Sequence, residues 1–114
     1  MTSSKSEQDA HHIIADVTPP LPGLIIRREI LDRHRISQAK LARLTGISAV
    51  LLHHILYGRN PLSPEFALRL GKVTATDPAY WIDMQSRFSL HQKSREMKET
   101  LDNLVELPAL ADPL

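Results

Sequence analysis

The sequence predicts an all-α protein: a five-helix domain with a C-terminal helical extension and a flexible N-terminal arm. Three observations carry this reading. Apolar residues recur at spacings of three and four rather than two. Ser37, Ser48, Ser63 and Asp77 each stand where a helix needs an N-terminal cap, and Pro64 and Pro78 follow the last two directly. Glycine or proline breaks the pattern between these starts.

The chain begins with residues 1–17, which lack a sustained period and read as a mobile arm, although the stretch HHIIADV could pair as a short strand with a partner. Pro19, Pro20 and Pro22 then punctuate the start of the domain. Helix one is expected over residues 23–34, with Ile26, Ile30 and Leu31 inward and Arg27, Arg28, Arg33 and Arg35 outward. Helices two and three occupy residues 37–56, SQAKLARLTGISAVLLHHIL. Ser37 can accept a hydrogen bond from a free amide of the helix it precedes, and Ser48 can do the same eleven residues later. Gly46 lies between them, suited to the left-handed backbone that ends a helix, and Ile47 can pack back across the corner. Leu41, Ala42 and Leu44 give helix two an apolar side, and Leu52, Ile55 and Leu56 give one to helix three. Ala42 is small enough to let the two helices cross closely. Two short capped helices around a glycine turn make a helix-turn-helix, which points to DNA.

Gly58, Asn60 and Pro61 make residues 57–62 a turn. Ser63 caps helix four, which faces the core with Phe66, Ala67 and Leu70. Asp77 caps helix five, where Tyr80, Trp81, Met84 and Phe88 form the lid of that core. Leu90, Met97 and Leu104 then recur every seven residues, with Leu101 between the last two, so a helix over about residues 90–107 would carry an apolar stripe. That stripe could return onto its own core or pair with a second copy. The organisation read from this is an arm over 1–18, a DNA-binding domain over 19–90 and a helical extension with a tail over 91–114.

Composition fits one small domain. The chain has 114 residues, few aromatics and no cysteine, so disulfides and thiolate zinc sites are excluded. No apolar run approaches the roughly 20 residues that span a bilayer, and the polar start MTSSKSEQDAHH has no signal-peptide pattern, so a cytoplasmic protein with no membrane contact is expected. The net charge of +1 is unevenly spread: residues 1–18 carry −2, residues 96–114 carry −4, and the body between them carries +7. A basic body suits a protein that lies on phosphates and releases their counterions.

Several blocks follow the motif in one register: Pro22-Gly23, SQAKLARLTGIS, Gly58-Arg59, LSPEFALRL from Leu62 and DPAYWIDMQ from Asp77. On these blocks the chain resembles the HigA family of antitoxins, a branch of the phage-repressor-like helix-turn-helix proteins. The resemblance covers roughly residues 20–93, about two thirds of the chain. It implies a domain that dimerises, binds a palindromic double-stranded operator upstream of its own operon, and neutralises a cognate RelE-like RNase toxin.

Helix geometry selects the residues expected on DNA. At about 100° per residue, Val50, His54 and Tyr57 point away from the core stripe of helix three, with Leu51 and His53 on its flanks. A recognition helix leads into the major groove with its N-terminal end, which places Ser48, Ala49, Val50 and Leu51 nearest to base edges. Gln38, Lys40 and Arg59 would hold the backbone. Many relatives offer Arg, Gln, Thr or Asn where this chain has Ala49, Val50 and Leu51. Apolar side chains can touch a thymine methyl but cannot make the bidentate hydrogen bonds that select guanine or adenine. Two consequences stay open: an operator read through thymine methyls, Ser48, His54 and DNA shape, or a protein that has lost DNA binding and kept a protein partner.

No cofactor or metal is expected. His53 and His54 diverge by about 100° on a helix and make a poor chelate. There is no HExxH, phosphate-binding glycine loop or GxSxG, so catalysis is not expected. The acidic residues 96–112 could cover the basic RNA-binding surface of an RNase, or the N-terminal arm could fold onto the toxin. A stand-alone regulator without a toxin is the alternative reading.

Overall fold

The computed structural model describes residues 18–108, and every regular element among them is helical. Helix α1 spans Pro22–Ile26 and continues without a break into a π-helical segment, Arg27–Asp32. Helices α2 (Gln38–Thr45) and α3 (Ala49–Leu56) form the helix-turn-helix. They are followed by α4 (Pro64–Thr74), α5 (Pro78–Glu96) and α6 (Lys98–Asp102). The expected arm, including the HHIIADV stretch, lies outside the described residues.

Each interior start is made by the residue that local chemistry selects. The Ser37 hydroxyl accepts from the Lys40 amide at 3.0 Å, Ser48 from Leu51 at 3.0 Å and Ser63 from Phe66 at 3.2 Å. Asp77 Oδ1 accepts from the Ala79 amide at 2.9 Å. These bonds satisfy amides that have no partner inside the helix. Gly46 ends α2 in the left-handed region, at φ 75°, and both its amide and that of Ile47 bond the Ala42 carbonyl. A side chain there would strain the corner on which the motif depends.

The core is one cluster drawn from α1 to α5: Ile26, Ile30, Leu31, Leu41, Ala42, Leu52, Ile55, Leu56, Leu62, Phe66, Ala67, Leu70 and Trp81. Ile47 and Met84 pack against its edge. Helix α1 lies so close to the end of α3 that a Cβ on Gly23 would overlap the Leu56 carbonyl.

Four expectations require correction. Leu44 is exposed and Thr45 is buried in its place. On a helical wheel Leu41, Ala42 and Thr45 share one side and Leu44 falls outside it, while Thr45 satisfies its hydroxyl on the Leu41 carbonyl at 2.7 Å. In α5 only Trp81 is fully buried; Tyr80 is exposed with its ring edge-on to the indole, and Met84 and Phe88 are half-buried. Arg27 is half-buried rather than outward, because its stem lies along the protein and its guanidinium rests on the Tyr57 ring. No single helix covers residues 90–107 either. α5 crosses residue 90 without interruption, stops at Met97, and α6 ends at Asp102. Leu90 and Leu104 are 71% and 66% exposed, so the stripe does not return onto its own core.

Candidate nucleic-acid interface

Three elements build the candidate surface: the start of α2, the exposed side of α3, and the turn that follows it. Ala49, Val50 and Leu51 stand at the front of α3, with Val50 65% and Leu51 39% exposed. Ser48 is exposed, and its oxygen is occupied as the cap acceptor while its hydroxyl proton is free to donate. Lys40 on α2 and Arg59 in the turn are exposed. Gln38, half-buried, opens α2 and turns toward α3.

His54 differs from expectation. The residue is half-buried rather than fully outward, and the Arg59 and Asn60 amides close the end of α3 on its carbonyl at 2.8 and 3.2 Å. His53 is the exposed histidine. Its Nδ1 lies 3.3 Å from Gln38 Oε1, and its ring is 4.6 Å from that of Tyr57. The Arg27 guanidinium sits 4.3 Å from the centre of the Tyr57 ring. Gln38, His53, Tyr57 and Arg27 therefore tie α2, α3 and the first helix together. The four-residue spacing of His53 and Tyr57 was the available signal for their contact.

Arg69 holds the motif from behind. Its Nη1 donates to the Thr45 carbonyl at 2.9 Å and to that of Gly46 at 3.4 Å, while its Nε donates to Glu65 at 3.1 Å. A guanidinium on the last carbonyls of α2 satisfies them and meets the negative end of the helix dipole. Gln85 fixes the other end of the motif by accepting the Leu62 amide at 2.8 Å.

The stretch that carries this surface is basic and without carboxylates. Ion pairs join Arg33 to Glu29, Arg69 to Glu65, Arg87 to Asp83, Lys93 to Glu96 and Lys98 to Asp102. Residues 33–64 contain no Asp or Glu at all, yet include Arg33, Arg35, Lys40, Arg43 and Arg59. Lys40, Arg43 and Arg59 are exposed and take part in none of these pairs among the described residues.

The fold and this surface define a helix-turn-helix protein, and a family model described as a helix-turn-helix domain matches residues 27–80. The chain is 34% identical over 83 residues to an uncharacterized HTH-type transcriptional regulator, YddM, of Escherichia coli K12, spanning 73% of this chain and 83% of that one. Among solved structures it resembles the Pseudomonas aeruginosa antitoxin HigA with higBA promoter, with a TM-score of 0.74, 33% identity, and coverage of 81% of this chain and 99% of that one. It resembles the antitoxin GraA in complex with its operator equally in fold, with a TM-score of 0.74, 31% identity, and coverage of 82% and 95%. The chain belongs to the HigA family of helix-turn-helix antitoxins. No helix among the described residues is long and apolar enough to cross a membrane.

Proposed function

We propose that this protein is the antitoxin of a type II toxin-antitoxin module, a non-catalytic cytoplasmic homodimer that represses its own operon and neutralises a RelE-like RNase toxin. The observation that carries the DNA half is the acid-free run of residues 33–64 that contains α3, with Ala49, Val50 and Leu51 presented at the front and exposed Lys40 and Arg59 beside them. Two relatives of the same fold are described with promoter or operator DNA, which supports the same use here. On this reading Val50 and Leu51 meet thymine methyls, Ser48 and His54 supply polar contacts, and Gln38, Lys40 and Arg59 hold phosphates. Two half-sites one helical turn apart require two copies, and the exposed Leu90, Leu101 and Leu104 are apolar side chains that a second copy could cover.

The toxin half rests on family membership and on the acidic stretch from Glu96 to Glu106, whose charge suits an RNase surface. Binding of the protein to its own promoter across a salt series, beside a scrambled duplex, tests the repressor. Specific binding that weakens with salt is expected. Equal affinity for both duplexes would mean that the apolar start of α3 has removed operator reading and would leave the protein-partner role. Growth protection from the co-expressed toxin tests the second activity, and its loss on removing residues 96–114 is expected. A toxin gene missing from the neighbourhood of this gene would favour a stand-alone regulator.

A further inference from the structure

Resting on that reading, we propose that a further base-reading side chain, beside Ser48 and His54, lies one turn along the recognition helix: His53, set in place by Gln38. Ala49, Val50 and Leu51 leave the first turn of α3 without a side-chain hydrogen bond to offer a base. The next exposed polar side chain on α3 is His53, and it is held on two sides. Gln38 Oε1 lies 3.3 Å from Nδ1, and the Tyr57 ring, itself backed by the Arg27 guanidinium, lies 4.6 Å from the imidazole.

With the Gln38 amide turned so that Oε1 faces the ring, the contact sets the chemistry of both partners. An amide oxygen only accepts, so His53 Nδ1 carries the proton and donates to Gln38. In the neutral ring Nε2 is then a bare acceptor. In the major groove only adenine N6 and cytosine N4 supply amino donors, so His53 selects an adenine or a cytosine edge. The Gln38 amide nitrogen keeps two donors for a phosphate or a base acceptor beside it. His53 is the specificity residue, Gln38 acts through it as a positioning residue, and Val50 and Leu51 confine the neighbouring contacts to thymine methyls.

The test uses the full chain and its own promoter duplex, scanned by replacing each adenine with purine, which lacks the N6 amino group, and each cytosine with its analogue lacking the N4 amino group. The unaltered protein should lose about tenfold in affinity at one symmetry-related base pair of each half-site, whereas His53→Ala should bind both forms of that base pair alike. Gln38→Ala should cost less affinity in the His53→Ala background than in the unaltered protein, because contacting residues are non-additive, and only its own phosphate contact should remain to be lost there. His53→Gln, which restores an acceptor and a donor, should recover part of the discrimination. Thermal denaturation of each variant keeps folding apart from recognition. Additive losses from the two alanine variants, or a His53→Ala protein with every base preference intact, would overturn the assignment while leaving the repressor standing. An unaltered protein with no promoter preference would defeat both.

Discussion

The Trp81 indole Nε1 donates to Thr76 Oγ1 at 2.8 Å, at the head of a half-buried hydroxyl chain. Thr74 already donates its only hydroxyl proton to the Leu70 carbonyl at 2.7 Å, so the 2.8 Å bond between the two threonines must run from Thr76 to Thr74. The largest core side chain is thereby tied to the end of α4. Thr76→Val keeps the shape but strands the indole N–H, at a cost of about 1–3 kcal/mol. In a domain of this size that lowers the melting temperature by about 4–8 °C per kcal/mol. Thr76→Ser keeps the acceptor and should retain most of the stability. A valine variant that melts with the unaltered protein would show that the indole has found another acceptor.

Arg69 is the basic residue whose loss should act on folding more than on DNA. Its guanidinium bonds the Thr45 and Gly46 carbonyls at the motif's corner. Because the side chain is 42% exposed, water offsets part of each bond, and Arg69→Ala should cost about 1 kcal/mol. Arg69→Lys should not restore it, since a single ammonium cannot reproduce the fork shared between Glu65 and the turn. Urea denaturation of both variants checks this, and a lysine variant of full stability would contradict it.

Helix α1 and the end of α3 touch through backbone at Gly23 and Leu56. Gly23→Ala therefore forces the helices apart, at a cost of about 1–3 kcal/mol or more, since a backbone carbonyl cannot swing aside as a side chain can. Displacement of Leu56 moves α3 itself, so promoter affinity should fall together with stability. Affinity unchanged at a lowered melting temperature would show that α1 yields instead.

These relationships mark how far the chain was readable from its residues. The caps at Ser37, Ser48, Ser63 and Asp77 and the glycine turn at Gly46 involve groups within four residues of one another, so sequence spacing is enough to place them. Gly23 and Arg69 were not legible, because their partners are distant in the chain and known only once the helices cross. Leu44 and Tyr80 were assigned to the core on hydrophobicity, whereas the wheel of α2 and the indole of Trp81 leave them outside. The half-burial of His54 beside an exposed His53 has a similar origin: a periodicity argument fixes angles around one helix and omits what packs beside it.

Leu90, Leu101 and Leu104 are exposed on α5, α6 and the segment after it, with no described residue packed over them as a core. If they join two copies, Leu101→Glu combined with Leu104→Glu should halve the mass measured by light scattering and leave the melting of the helix-turn-helix core nearly unchanged. Loss of the dimer would also weaken promoter binding, since one module contacts one half-site. A variant that stays dimeric would transfer the interface to another face.

Arg59 and Val50 should separate affinity from sequence reading. Arg59 is exposed in the turn after α3, has no ion-pair partner among the described residues, and belongs to the acid-free run. A phosphate contact from it carries no base information, so Arg59→Ala should weaken promoter and scrambled duplexes alike and reduce the salt slope by about one. Val50, 65% exposed at the front of α3, offers only methyl groups. Val50→Ala should therefore lower affinity for the promoter, leave scrambled DNA and the salt slope unchanged, and lose its effect when the contacted thymine is replaced by uracil. Fluorescence anisotropy titrations of both variants at several salt concentrations give all of these quantities at once. A Val50→Ala variant indifferent to uracil would place that side chain away from the groove, and an Arg59→Ala variant with an unchanged slope would remove Arg59 from the backbone contacts.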